Sequence, residues 1–130
     1  MTSDPHLTVG ISFQESATRV DLPGRQWGLL LGPGNVGAAN MTLGFSIFPA
    51  GSAPPGHTHP AEEEMIYVIS GRGHIITDTM VVDLSPGVAV YIPPGLAHAT
   101  SADEGEPLQL LTAFSPPVIP GSYEEVHPGK

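Results

Sequence analysis

The chain has no cysteine, which excludes disulfides, thiolate metal ligands and a cysteine nucleophile. It is also poor in positive charge. Lysine and arginine together number 4, at Arg19, Arg25, Arg72 and Lys130, against 13 acids, and the formal charge is −9. Four cations cannot assemble a phosphate-neutralising face, so the composition argues against nucleic acid as a partner, and anionic membrane surfaces are disfavoured for the same reason. Long apolar runs are missing too: none approaches the roughly 18 residues of a membrane span. The opening MTSDPHLTVG has neither the basic region nor the apolar core of a secretion signal. A soluble cytoplasmic protein is the expectation.

The 16 glycines and 15 prolines, with only 13% charged residues, point to many short strands joined by tight turns, as in all-β barrels. The 40% hydrophobic content is too high for a disordered chain. The 130 residues are expected to form one domain with one core, spanning about residues 25 to 115. The lead before it alternates weakly through Leu7, Val9, Ile11 and Phe13, and the tail from Ser115 to Lys130 reads as irregular.

Two stretches carry chemistry. In GSAPPGHTHPAEEEMIYVISG, Gly51 to Gly71, His57 and His59 stand at i and i+2, so on an extended backbone both imidazoles face one side. Glu64 heads the apolar run MIYVI and shares a strand face with Ile66 and Val68, where an unpartnered carboxylate is costly to bury. A metal ion removes that cost. In GVAVYIPPGLAH, Gly87 to His98, a strand runs into a Pro93-Pro94-Gly95 turn and then reaches His98. His57, His59, Glu64 and His98 together make three neutral nitrogens and one carboxylate.

The first stretch reads G-x5-H-x-H-x4-E-x6-G and the second G-x5-P-x-G-x2-H, separated by the 15 residues from Arg72 to Pro86. This pair resembles the two motifs of the cupin superfamily at the spacing of its small single-domain bacterial members. Ala102 stands where the second motif usually has an asparagine, a departure that touches the local turn rather than the ligand set. The resemblance implies a conical double-stranded β-helix of the jelly-roll kind, homodimer formation, and a single divalent ion held by His57, His59, Glu64 and His98. Glu63 would take the place of Glu64 only if the preceding turn were one residue shorter.

Histidine and carboxylate ligands suit Fe, Mn, Ni, Co, Cu or Zn, with Fe(II) the favoured choice. Four protein ligands leave two positions of an octahedron for a small-molecule substrate, or for a substrate atom and O2. One glutamate against a divalent ion leaves net +1, which favours an anionic or enolisable group. The expected function is a metal-dependent enzyme of dioxygenase or lyase/isomerase type. A metal-containing module that binds a sugar or effector without turnover is the alternative.

Other residues are placed less sharply. Arg25 and Trp27 share a strand face and are candidates for the substrate wall, with simple packing of Trp27 as the plainer reading. Ile66, on the face of Glu64, and Tyr91, a core-region phenol, complete the substrate-binding candidates. Ile66 also occupies the position where similar cupin lyases that split a sulfonium acid carry a tyrosine, which argues against that activity. His74 lies outside the ligand pattern and reads as an ordinary surface or supporting histidine. In MTLGFSIF, Met41 to Phe48, both faces are apolar, so parity does not reveal which one looks inward.

Overall fold

The computed structural model describes residues 8–118 and 124–126. Among the described residues there are eleven strands: β1 Arg19–Leu22, β2 Arg25–Leu31, β3 Thr42–Phe48, β4 Gly56–Thr58, β5 Glu63–Ser70, β6 Gly73–Ile76, β7 Val81–Leu84, β8 Ala89–Ile92, β9 Ala99–Ala102, β10 Leu108–Ser115 and β11 Glu124–Val126. Six form one antiparallel sheet in the order β1-β2-β3-β10-β5-β8, three form a second in the order β7-β6-β9, and β11 pairs with β4. A bridge between His57 and His98 ties β4 to the start of β9. The all-β jelly-roll architecture expected from the sequence is the one observed.

Turn chemistry sets the strand lengths. Gly71, between β5 and β6, has φ +84, and a Cβ there would strike the carbonyl of Pro107. Only glycine takes that conformation freely. The turn that Ala102 put in question is held by backbone alone: Ala102 N–H donates to Ser52 O at 2.8 Å, Asp103 N–H to Arg72 O at 2.9 Å, and Gly51 N–H to Asp103 O at 3.0 Å.

Alternation along the strands builds a barrel with two unlike ends. On β5 the inward residues are Glu64, Ile66 and Val68, and on β10 they are Phe114, Thr112, Leu110 and Leu108. The core joins both sheets, with Val68, Leu108, Leu110 and Phe48 from the large one and Ile75, Leu84 and Ala102 from the small one. The far end is therefore closed by apolar packing. The Glu64 end is left for polar groups.

The outer face of the large sheet is apolar as well. Register places Leu111 beside Tyr67, Ala113 beside Met65, and Met65 beside Tyr91. Met65, Tyr67 and Tyr91 are about half exposed. This answers which face of β3 looks inward: Thr42, Gly44, Ser46 and Phe48 do, while Leu43, Phe45 and Ile47 lie on the outer side.

Some expectations change. The first strand of the sheet, β1, begins at Arg19, ahead of the buried core residues, which run from Trp27 to Phe114. The loop after β2 contains a one-turn helix, α1 Pro33–Val36, because Asn35 caps it through Gly32 N–H at 2.9 Å. Val9, Ile11 and Phe13 form no strand and are exposed; Leu7 and His6 lie outside the described residues. The tail is not wholly irregular, since β11 pairs Glu125 with His57.

Leu108 is fully buried at the closed end. Leu108→Ala is expected to lower unfolding free energy by about 2–5 kcal/mol, as large-to-small core changes do. Chemical denaturation followed by circular dichroism checks it; a loss under about 1 kcal/mol would mean that the far end of the barrel is not the structural core.

Candidate metal centre

The centre is assembled by backbone pairing before any side chain acts. His57 N–H donates to His98 O at 2.8 Å and His98 N–H to His57 O at 3.0 Å, while Gly95 N–H donates to His59 O at 2.9 Å. Residues directly opposed across an antiparallel pair point their side chains the same way. The two rings accordingly meet with centroids 4.4 Å apart. Two residues along the extended chain, His59 falls on the same side, its ring 5.0 Å from His57.

Glu64 enters from the large sheet. Its carboxylate is buried, with Oε1 at 3.4 Å from His98 Nε2 and 3.9 Å from His59 Nε2. Ligand atoms of His57, Glu64 and His98 all lie within 4.8 Å of one another, so these three residues could hold a metal ion. His59 lies at the edge of that group, its ring 6.3 Å from His98 and edge-on to Phe114 at 5.0 Å. Glu63, by contrast, is exposed on the outer face.

Whether these residues fit an ion is decided by two details. The carbonyl of Leu96 lies 3.0 Å from His98 Nδ1. A carbonyl only accepts, so Nδ1 carries the proton, and in the neutral ring Nε2 presents a lone pair to Glu64. Glu64 Oε1 itself is buried and takes part in no well-formed hydrogen bond. Two electron-rich atoms thus face each other at more than hydrogen-bond length, an arrangement that a cation between them satisfies.

Protonation states agree. Burial pulls the His98 pKa down, but the Glu64 carboxylate and the Leu96 carbonyl outweigh it and hold the pKa above the usual imidazole value. A positive charge is favoured at this point, whether proton or metal. Burial, aided by His98, His59 and Arg25, holds His57 down to about 2. The His57 ring is therefore neutral throughout the physiological range, as a residue that could hold a metal ion must be.

The open end is a cavity of about 50 Å³ bordered by all four of these residues. Arg25, Trp27 and Ile66 border it too. Arg25 donates to Pro23 O at 2.9 Å and faces the cavity from β2, where its charge reaches His57 and His98. Trp27 donates its indole N–H to Thr112 Oγ1 at 3.3 Å. Tyr91 is a correction: it pairs with Met65 on the outer face, beside Glu63, and does not border the cavity. Its neighbour Ile92 takes the inward place opposite Glu64.

Sequence reasoning missed the hydroxyls of Ser46, Thr100 and Thr112, which border the cavity. Their signal was a polar residue inside a strand's apolar face. Threonine is also a common strand former, which hides that signal. His74 stands apart, between Asp83 at 3.3 Å and Asp103 at 3.4 Å on the outside of the small sheet. Among the described residues, no helix is long and apolar enough to cross a membrane.

Comparison with known proteins agrees with this geometry. An uncharacterized protein of Methanocaldococcus jannaschii, MJ1618, is 32% identical over 88 residues, covering 68% of this chain and 70% of that protein. The polyketide cyclase RemF from Streptomyces resistomycificus has the same fold, with a TM-score of 0.76 at 21% identity over 92% of this chain and 86% of its own. So has the Streptomyces nucleoside dehydratase Pac13, with a TM-score of 0.73 at 12% identity over 95% of both chains. The cupin domain model matches residues 44–114, more than half of the sequence and the whole of both motifs. The chain belongs to the cupin family.

Proposed function

We propose that this protein is a mononuclear metal-dependent enzyme that acts on a small organic molecule coordinated at the ion, with His59 joining His57, Glu64 and His98 as the fourth ligand. The observation that carries the reading is the Nε2 lone pair of His98 facing the buried, hydrogen-bond-poor Glu64 oxygen. A bound divalent ion would act as a Lewis acid, polarising a carbonyl or stabilising an enolate.

The chain's own groups do the rest. His98 is oriented by Leu96, Arg25 supplies a positive charge for an anionic or enolisable substrate, and Trp27, Ile66 and Phe114 keep the wall apolar and restrict water. Among the described residues, no phenol borders the cavity, since Tyr67 and Tyr91 face outward. Proton movement then falls to water or substrate under the influence of the imidazoles and Arg25. A redox-neutral lyase or isomerase reaction is favoured over dioxygenation, in keeping with the cyclase and dehydratase names of the two fold neighbours, whose chemistry needs no oxidant. Turnover of candidate enolisable substrates under strict anaerobiosis is the expected result. Substrate-dependent oxygen uptake would move the assignment to a dioxygenase, and tight binding with neither would move it to an effector-binding module.

A second copy of the chain is the proposed partner, seated on the outer face of the large sheet. Tyr67, Met65, Ile69 and Tyr91 expose apolar surface there. Patches of this kind are uncommon on free monomers. Two chains each carrying −9 repel one another over most of their surface, and this strip, uncharged between Met65 and Ile69, is where a two-fold contact escapes that repulsion. Met65→Lys with Tyr67→Lys is expected to shift sedimentation from dimer to monomer; an unchanged coefficient would place the contact elsewhere.

Metal content tests the ion directly. Protein purified without chelator should hold close to one equivalent, and His98→Ala should lose more affinity than the roughly 10–100-fold that removing a supporting partner costs. Tyr91→Phe should keep it. Protonation removes a ligand lone pair and His98 titrates above 6.5 in the metal-free chain, so affinity should fall on acidification starting above that pH, ahead of an ordinary histidine. His57, at about 2, adds nothing to this fall. Competition with a chromophoric chelator from about pH 8 to about pH 5.5 measures it, and a flat profile would rule out ligation by His98.

A further inference from the structure

Next to the metal cavity lies a second one, and Trp27 and Val118 border both. The first, about 50 Å³, has room for a head group of a few atoms and little more, because a single water already needs at least ~10–15 Å³. The second is about 230 Å³ and is walled by Leu29, Pro33, Gly34, Thr42 and Pro117. Neither reaches the roughly 300 Å³ at which small-molecule sites begin, but together they approach it.

The border that they share is held in place. Trp27 is pinned by its bond to Thr112, and its indole covers Gly44, where any Cβ would collide with the ring. The second cavity is apolar apart from Thr42. That residue is 1% exposed, and its hydroxyl has no hydrogen-bond partner among the described residues. Its oxygen exposes less than 1 Å² to water, so the hydroxyl lies behind the cavity wall and the lining that a ligand meets is apolar. Thr42 pairs with Phe114 and Phe114 with Glu64, so Thr42 lies two strands from the carboxylate. At ~4.8 Å per strand that is ~10 Å.

We propose that the second cavity receives the apolar body of the substrate whose polar head is held at the metal centre. The substrate class is an elongated, largely planar molecule: a chelating enol, diketone or hydroxy-carbonyl head and an aromatic or polyene body alongside Trp27. Sugars and short polar acids do not match the apolar lining. The head-group assignment rests on the metal reading above, whereas the compartment for the body does not.

The test separates the two. Trp27 is the chain's only tryptophan, so its indole N–H gives one assignable resonance in a nitrogen-correlated NMR spectrum. Titrating the metal-free, isotopically labelled chain with 2-naphthol should move that resonance saturably. Leu29→Phe and Gly34→Phe fill the cavity from two sides, Gly34 having open space where a Cβ would stand. Each should weaken the naphthol response about tenfold while leaving the rest of the spectrum folded. With metal-loaded protein, 2-naphthohydroxamate should bind at least about tenfold tighter than acetohydroxamate, and the filled variants should abolish that advantage. No saturable indole shift, or a response indifferent to both filling substitutions, would overturn the proposal. Naphthol binding without any hydroxamate binding would keep the compartment and overturn the metal centre beside it.

Discussion

The reciprocal backbone pair between His57 and His98 is the constraint on which the centre depends. These two residues are separated in sequence by β5 to β8, and the same two hydrogen bonds that join the sheets also point both imidazoles inward. Ligand geometry is thereby a by-product of sheet closure. The site is rigid because loosening it would unpair β4 from β9, not because its own contacts are strong. Its own contacts are in fact poor, with 3.4 Å and 3.9 Å separations where hydrogen bonds would be shorter.

Stability and chemistry are divided along each strand. Going down β5 from Glu64 through Ile66 to Val68, or down β10 from Phe114 to Leu108, the surroundings pass from a polar mouth to a sealed core within two or three inward residues. The core end carries the apolar burial that holds the sheets together. The mouth end can then tolerate a carboxylate without a good partner, as functional sites commonly do at a stability cost borne elsewhere.

Much of this was legible in the sequence, for definite reasons. Fixed spacing places His57, His59, Glu64 and His98, because i and i+2 share a strand face and glycines such as Gly71 mark turns that no other residue takes easily. Tyr91 was misplaced because its strand is apolar on both faces, so its direction depends on the pairing of Ile92 with Glu64, a long-range fact. The face of β3 was undecided for the same reason. The helical turn at α1 and the pairing of β11 with β4 hang on single local or distant contacts that composition does not reveal. The cavity hydroxyls were hidden because Thr112 and Thr100 serve equally well as strand formers.

The acidic character of the chain and the cationic demand of its centre are compatible because they act over different distances. Surface carboxylates are screened within about 8 Å at physiological salt. Inside the mouth the effective dielectric is lower, and nearby charges dominate there. In that space stand Arg25, a neutral His57 and the position between Glu64 and His98 where positive charge is stabilised. On the proposed function, an anionic head group repelled on approach would be attracted once within the cavity, and the apolar wall of Trp27 and Phe114 would offer the rest of the molecule a surface that needs no charge. Such a site would select for a ligand with a small ionisable head and a larger uncharged body. A uniformly charged ligand would meet only the repulsion.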